Sequence, residues 1–181
     1  MKVRDLSFKL NSIFDIEKYE HVDKNLNGLQ VGNLNAEVNK VAFAVDASLS
    51  TLKEAKGNDF LITHHGIFWS KRERIVSNMY DKIKFLIENN MALYSVHLPM
   101  DAHPVYSHSK VLSDVLGIKK FLLSFANYGG FNLGIIADST FSFSEILKKI
   151  KKENKHILFY KKFKESVNRV AIISGSGYSF F

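Results

Sequence analysis

The chain has 181 residues, of which 46% are apolar, so it is long enough to bury a core in one large domain or two small ones. It contains no cysteine, which excludes disulfides, thiolate metal ligands and a cysteine nucleophile. No apolar stretch approaches the ~20 residues needed to cross a bilayer, and the first residues carry acids where a signal peptide would be apolar. The composition therefore predicts a globular, cytoplasmic protein without a membrane segment.

The chain is basic, with 25 Lys and Arg against 18 Asp and Glu and a net charge of +7. Much of this charge lies in one late segment, KKIKKENKHILFYKKFK (Lys148 to Lys164), where aromatic residues alternate with lysines. Such a segment suits a phosphate backbone, a solvated helix face, or a surface that attracts an anionic small substrate. No helix-turn-helix or RNA-binding signature accompanies it, so nucleic-acid binding is the lesser interpretation.

The first clear strand is VAFAVDAS (Val41 to Ser48), an apolar run that ends in Asp46 and reads as buried. Ser48 or Ser50 is placed to cap a helix that runs to Lys56. This strand and helix predict the first unit of an alternating pattern.

Two further strand and helix pairs follow. The expected elements, in chain order, are a strand over Asp59 to Thr63, a helix over Ser77 to Asn89 with Ile83, Leu86 and Ile87 at helical spacing, a strand over Met91 to His97, and a helix over Ser107 to Leu116. Alternating strands and helices favour a mostly parallel sheet flanked by helices. We therefore predict an α/β fold for residues 1–120.

The pattern changes after Gly117. The expected elements there are a strand over Phe131 to Ala137, a helix over Ser142 to Lys152 with a capping box, and strands over His156 to Tyr160 and Arg169 to Ser174. We interpret residues 121–164 as a smaller α+β insertion. Residues 165–181 are then predicted to return a strand to the main sheet.

Histidines cluster where two predicted strands end. DFLITHHGIFW places His64 and His65 after one apolar run, and HLPMDAHP places His97 and Asp101 after the next. Because the carboxyl ends of parallel strands share one edge of a sheet, these side chains are expected to meet there. Imidazole and carboxylate are ligands for divalent metals, and without cysteine any metal must be held by nitrogen and oxygen.

Adjacent residues on a regular strand point to opposite faces, so His64 and His65 reach one spot only if the chain leaves the strand there. Gly66 permits that turn. Each imidazole then binds a different ion, and Asp101 is the candidate bridge in a two-metal hydrolytic centre with ions ~3.5–4 Å apart. His97 is a ligand, a donor that orients Asp101, or a proton carrier.

The other histidines carry a weaker signal. His21, His108 and His156 read as hydrogen-bonded core or surface residues. His103 shares the ambiguity of His97, although the proline that follows it favours a role in shaping the loop.

Four stretches together resemble one known family. They are NGLQVG (Asn27 to Gly32), THHGIFW (Thr63 to Trp69), HLPMDAHP (His97 to Pro104) and GSGYSF (Gly175 to Phe180). In this order they are similar to the Nif-three-like dinuclear metal proteins, whose bacterial members are called GTP cyclohydrolase 1 type 2 homologues. The second and third stretches are the specific ones.

The resemblance implies an α/β fold, a two-metal centre and a homohexameric ring with the metal sites facing an internal cavity. Carried over by position, the metal ligands are His64, His65 and Asp101. The hypothesis of metal-assisted hydrolysis adds His97 as the catalytic residue that handles a proton. The family's remaining ligands, a histidine and a glutamate, follow the GSGYSF-like turn by several dozen residues, beyond Phe181.

The function that the resemblance implies is metal-dependent hydrolysis that opens the guanine ring of GTP towards a dihydroneopterin triphosphate-type product. No phosphate-cradling glycine motif supports GTP, because GSGYSF lacks the lysine and the spacing of that pattern. Two alternatives stay open: a toroidal scaffold that binds nucleic acid or protein, and a metal carrier. The two divalent ions can be Zn, Fe, Mn, Co or Ni on ligand chemistry alone.

Overall fold

The computed structural model describes residues 1–69, 73–118, 121–153, 156–160, 166–175 and 177–180. The chain forms two compact units, Met1–Met100 and Asp101–Phe181. The boundary between the two units therefore lies at residue 100, about 20 residues before the predicted boundary near residue 120. The helix that precedes it buries Leu116 in the core of the second unit, so this helix belongs there.

The first unit contains short strands separated by helices. Its elements are α1 (Val3–Phe14), a 3-10 helix (Ile16–Tyr19), β1 (Gly28–Val31), β2 (Val41–Asp46), α2 (Leu49–Glu54), β3 (Phe60–His65), α3 (Ser77–Glu88), β4 (Ala92–Ser95) and the turn α4 (Leu98–Asp101) at the boundary. In the described residues no helix has the length and apolar character needed to span a membrane.

The strands form a four-stranded sheet in the order β1-β4-β3-β2. The pairs β2 with β3 and β3 with β4 are parallel, which confirms the predicted α/β class. The added strand β1 is antiparallel to β4 and was not predicted, because four residues carry too little periodicity to be recognised.

Both faces of the sheet are covered at the central strand β3. Phe60 and Ile62 pack on one side in a cluster that includes residues of α1, and Leu61 packs on the other with residues of α2 and α3. Alternate residues of β3 therefore enter two different cores, as expected for a parallel sheet between helix layers. On α3, Leu86 is fully buried but Ile87 is 66% exposed, so the helical spacing of these apolar residues does not place both in the core.

Strand β2 lies at the edge of the sheet, which corrects the prediction that it is buried. Its alternate residues Val41, Phe43 and Val45 are exposed by 38%, 76% and 56%. The apolar run predicted a strand correctly, but a run of this kind does not distinguish a central strand from an edge strand that leaves one apolar face bare.

Asp59 fixes the entry to β3. Its Oδ2 accepts hydrogen bonds from the backbone N–H groups of Asn39 (2.8 Å) and Lys40 (2.9 Å). These two bonds, that of Asn39 first, hold the pKa of Asp59 below its ordinary value.

A folded-state pKa below that of the unfolded chain stabilises the fold above about pH 4 and loses that effect as the pH falls through the folded pKa. We therefore expect Asp59→Asn to lower the free energy of unfolding by about 1 kcal/mol at pH 7 and by less at pH 3. Urea denaturation at both pH values measures this, with the exposed Asp81→Asn as control. An equal loss at both pH values would contradict the assignment.

The second unit is built on an antiparallel sheet. Its elements are α5 (His108–Leu116), β5 (Phe121–Tyr128), β6 (Phe131–Asp138), α6 (Phe143–Glu153), β7 (Arg169–Ile173) and a 3-10 helix (Gly177–Phe180). The strand order is β5-β6-β7. The prediction that residues 165–181 return to the main sheet is wrong, because β7 pairs with β6.

Residues 156–160 are not a strand, which also corrects the sequence analysis. Their apolar side chains include the fully exposed Leu158 and Tyr160, at 82%. The neighbouring residues 154, 155 and 161–165 of the basic segment, and Ser176 of the GSGYSF stretch, lie outside the described residues.

The helix ends follow the predicted chemistry. Ser107 caps α5 by accepting from the N–H of Lys110 (3.2 Å), and Gly117 ends it with a positive φ of 77°. On α6 the capping box forms: Ser142 Oγ accepts from Glu145 N (3.1 Å) and Glu145 Oε2 accepts from Ser142 N (2.8 Å).

Lys149 joins α6 to the end of α5. Its Nζ donates to the carbonyl of Leu116 (2.6 Å) and lies 3.8 Å from the centre of the Phe141 ring. A cation at a helix C-terminus stabilises the unpaired carbonyls, and the aromatic face adds a cation–π contact.

We expect Lys149→Met to lower the free energy of unfolding by about 1.4 kcal/mol. The amide of the buried Ile172 should then exchange its hydrogen about ten times faster. Hydrogen exchange measured by NMR tests this, with the exposed Lys148→Met as the matched control. Equal exchange rates in the two variants would show that the contact has no stabilising role.

Candidate metal centre

Three imidazole rings meet at the carboxyl edge of the parallel strands. His64 and His65 are the last residues of β3, and His97 follows β4, with Thr63 and Ser95 paired in register between the two strands. The ring centre of His64 lies 4.6 Å from that of His65 and 4.9 Å from that of His97. One ring nitrogen from each histidine lies within 4.8 Å of the others, a separation that suits a shared cation.

We predicted that the chain leaves the strand between the two adjacent histidines, but it does not. Both belong to β3, and His65 is paired with Asp46 of β2. The rings come together because they are held from opposite sides: His64 Nδ1 is 3.1 Å from the carbonyl of Val96, and His65 Nδ1 is 2.6 Å from Asp46 Oδ1.

Each ring of this cluster has an oxygen acceptor at Nδ1, since His97 Nδ1 is 2.8 Å from Asp23 Oδ1. These acceptors assign the proton to Nδ1 and leave the lone pair of each neutral ring on Nε2. Metal-binding histidines in proteins share this arrangement, in which an outer carboxylate or carbonyl fixes the tautomer and the ring orientation. The three residues therefore fit a divalent metal in donor type, tautomer and spacing.

Asp23 is the most heavily bonded side chain of the site. Its Oδ1 accepts from His97 and from the N–H of Asn25 (3.0 Å), and its Oδ2 accepts from Asn27 Nδ2 (2.8 Å) and the N–H of Leu98 (2.9 Å). The side chain is only 2% exposed. Burial raises the pKa of Asp23, but the hydrogen bonds from His97 and Asn27 outweigh it, so the pKa lies below its ordinary value.

Asp23, Asn25 and Asn27 together form what we call the polar clasp. Asn25 Oδ1 accepts from Gly66 N (3.0 Å) and from Ser95 Oγ (3.2 Å), while Asn27 Oδ1 accepts from the N–H of His97 (2.8 Å). The clasp thus binds the chain just after β3 and just after β4. It fixes the separation of the two strand ends that carry the histidines.

Gly66 is required by close packing and not by an unusual turn. A Cβ at this position would lie 2.2 Å from Gln30 Nε2. Gln30 in turn donates to the carbonyl of Leu26 (2.7 Å) and accepts from the N–H of Ile67 (2.8 Å). Only a glycine lets the Gln30 amide hold both segments, which explains why Gly66 follows the paired histidines.

Trp69 covers the cluster from the same loop. Its indole Nε1 donates to the carbonyl of Gly66 (2.9 Å), and its ring centre lies 5.2 Å from His97 and 5.6 Å from His65. Its backbone N–H donates to Glu73 Oε1 (2.6 Å). The indole therefore lies against two of the three rings and limits access of water to them.

Asp101 is the first residue of the second unit. It is buried, it accepts a hydrogen bond from Ser174 Oγ (2.9 Å), and its Oδ1 lies 3.2 Å from His108 Nδ1. The hydrogen bond to Asp101 raises the pKa of His108 against the opposing effect of burial. The role of Asp101 as a bridging ligand stays a prediction from the HLPMDAHP motif.

His103 shapes its own loop, one of the two roles considered for it. Its Nδ1 accepts from the N–H groups of Val105 and Tyr106, both at 3.1 Å. His103 therefore uses Nδ1 within the chain.

Sequence reasoning missed the carboxylates that orient the rings. Asp46 was seen only as the end of a strand, although its place at the end of the strand beside β3 is a usable signal. Asp23 and Asn25 stand in an irregular stretch with no periodicity, and only the folded structure brings them to the strand ends.

Comparison with known proteins agrees with this architecture. A protein of Borreliella burgdorferi named GTP cyclohydrolase 1 type 2 homolog is 87% identical over 181 residues, which are all of this chain and 73% of the relative. A crystal structure of a Thermus thermophilus protein matches with a TM-score of 0.86 and 30% identity, covering 99% of this chain and 72% of that one. Reduced HcgD from Methanocaldococcus jannaschii matches with a TM-score of 0.81 and 29% identity over 97% and 70% of the two chains.

This chain thus combines the paired histidines and the HLPMDAHP stretch with the two-unit fold. It also matches a family model along its whole length. The model that covers residues 1–181 is that of Duf34/NIF3 (NGG1p interacting factor 3), and the chain belongs to this family.

Proposed function

We propose that this chain is the metal-binding part of a metal-dependent hydrolase. The observation that carries the proposal is the set of three imidazoles whose Nδ1 atoms are all engaged by oxygen acceptors. His64 and His65 are the proposed nitrogen ligands, and Asp101 is added from the motif as the bridging carboxylate. The site is proposed to hold two divalent ions, as the family resemblance implies.

Divalent ions in such a site supply Lewis acidity and make a bound water acidic. The residues of the chain supply the rest. His97 is proposed to carry a proton between the attacking water and the leaving group. Asp23 accepts from His97 Nδ1, which holds the ring in one tautomer and one orientation.

The proposed substrate is GTP, opened at its guanine ring. The name of the Borreliella burgdorferi relative supports this choice, and the basic net charge favours an anionic substrate. Assembly into a hexameric ring is proposed with it, on the family resemblance.

The test is turnover of GTP by the metal-loaded chain, followed by the pterin-type chromophore of the product and by its loss on chelation. We expect His97→Gln to keep the bound metal and to lower turnover by about 10²- to 10⁴-fold, the usual effect of removing a general acid–base group. His21→Gln, an exposed histidine outside the cluster, is the control.

Two results would reject the assignment. Loss of metal from His97→Gln would make this residue a ligand. Absence of turnover in a chain with full metal content would leave a metal carrier or scaffold as the function.

A further inference from the structure

A cavity of about 760 Å³ lies beside the histidine cluster in the first unit. Trp69 is one of its walls, and the same indole lies against His65 and His97. Asp23 is another wall, and it accepts a hydrogen bond from His97 Nδ1, so two lining side chains contact rings of the cluster. The volume lies in the range of sites that hold small molecules in proteins.

The walls are apolar and partly aromatic. Trp69 is 38% exposed and Leu26 is 52% exposed, and both line the cavity with Phe68. Large apolar side chains at the mouth of a cavity favour a flat ring that can stack on the indole face. Trp69 is also fixed at its backbone by Glu73 and at its Nε1 by Gly66, so the stacking surface is formed before a ligand arrives.

The described part of the cavity lining is acidic, in contrast to the basic protein as a whole. Among the described residues, three carboxylates line the cavity, Glu20, Asp23 and Glu73, together with the cation Lys24. Asp23 is committed to the polar clasp, and Glu73 holds the Trp69 N–H. Glu20, at the end of the 3-10 helix, is exposed, and among the residues described its side chain makes no hydrogen bond or ion pair.

The carboxylates and the aromatic wall of the cavity indicate what kind of ligand it can bind. Carboxylates repel phosphate groups and accept hydrogen bonds from N–H donors. A carboxylate has two oxygens, so it suits two adjacent donors, such as a ring N–H beside an exocyclic amino group. Guanine presents such a pair on one edge, whereas adenine presents an acceptor nitrogen beside its amino group.

We propose that this cavity binds a guanine-type base, stacked on Trp69, with its ring N–H and amino group donating to Glu20 and its sugar and phosphates outside. This inference rests on the proposed function for its substrate class and adds which end of the nucleotide enters the cavity. Glu20 is the specificity-determining residue of the arrangement.

Trp69 is the only tryptophan of the chain, so its fluorescence reports on this cavity and on the histidine rings beside it. The full chain is titrated in EDTA with guanosine, inosine, adenosine and GTP, and N-acetyltryptophanamide is titrated in parallel to correct for absorption by the nucleosides. Because EDTA removes metal, the titration succeeds or fails independently of metal binding and turnover.

We expect saturable quenching by guanosine, with about tenfold weaker binding of inosine, which lacks the amino group, and still weaker binding of adenosine. GTP is expected to bind no more tightly than guanosine. Glu20→Gln should weaken guanosine binding about tenfold, while Glu17→Gln, on the same 3-10 helix but outside the cavity, should leave it unchanged.

Equal binding of adenosine and guanosine would overturn the proposal, and so would wild-type affinity in Glu20→Gln. Tighter binding of GTP than of guanosine without metal would place the phosphates in the cavity and also overturn it. If the chain binds guanosine but shows no turnover when loaded with metal, the base-binding inference holds and the proposed hydrolase activity is rejected.

Discussion

His65→Ala is expected to lower the divalent metal content of the purified chain by at least one of the two proposed ions. The imidazole is one of two proposed protein nitrogen ligands, and the chain has no thiolate that could replace it. The ring is also held in place by Asp46 at 2.6 Å, so little conformational entropy is lost when a metal binds. Elemental analysis after dialysis against a weak chelator measures the metal content per chain.

Asp46→Asn separates direct binding from orientation. This variant keeps the size of the side chain but removes the charge that holds His65 Nδ1, so we expect metal affinity to fall about 10- to 100-fold without complete loss. Asp101→Ala should also lower the metal content if its carboxylate is a ligand. His156→Ala, an exposed histidine in the second unit, should match the wild type.

Undiminished metal content in both His65→Ala and Asp101→Ala would show that the ligand set is wrong. A loss of metal in Asp46→Asn as large as that in His65→Ala would instead indicate that Asp46 is itself a ligand.

Asp23→Ala is expected to cause the largest loss of stability of any single substitution in the polar clasp. The buried carboxylate accepts four hydrogen bonds, and its removal leaves the N–H groups of Asn25 and Leu98 and the His97 ring without their acceptor. Breaking a buried network by removal of one charged partner costs about 3–5 kcal/mol. Urea denaturation of this variant and of the exposed neighbour Lys24→Ala measures the difference.

Asp23→Asn provides a second measurement if the alanine variant does not fold. It retains one acceptor oxygen but presents an NH₂ group to donors, so we expect a smaller loss with the same sign. A cost below about 1 kcal/mol in Asp23→Ala would mean that water replaces the carboxylate and that the clasp does not hold the strand ends together.

The parallel core was predictable because its signals are local. The apolar runs that became β2, β3 and β4 are separated by capped helices, and Ser48 caps α2 by accepting from Thr51 N, as its position suggested. Alternation of this kind restricts the topology strongly, because right-handed crossovers leave few arrangements.

The parts that escaped prediction depend on contacts distant in sequence. The four-residue β1 is recognised only by its pairing with β4, and β7 joins β6 and not the main sheet for reasons that its own apolar residues do not show. Residues 156–160 have the composition of a strand but are not paired, which shows that β-propensity follows packing more than sequence.

The candidate site divides in the same way. His64, His65 and His97 were identified because residue type and strand position coincide at one sheet edge. The orientation of their rings could not be predicted, because the groups that fix it are distant in sequence. Asp46 lies 19 residues from His65, Asp23 lies 74 residues from His97, and Val96 lies 32 residues from His64. Sequence patterns thus identified the candidate metal ligands, while only the folded structure showed which groups orient their rings.

The exposed edge strand β2 of the four-stranded sheet affects the tendency of this chain to associate in a concentrated sample. Phe43 projects from the outermost strand with 76% of its surface in water, between two valines on the same face. Mutual repulsion from a charge of +7 acts over the whole particle and is screened by salt, whereas the unpaired backbone groups of this edge strand and its exposed apolar side chains act locally. We therefore expect a higher ionic strength to favour the association of copies through this strand.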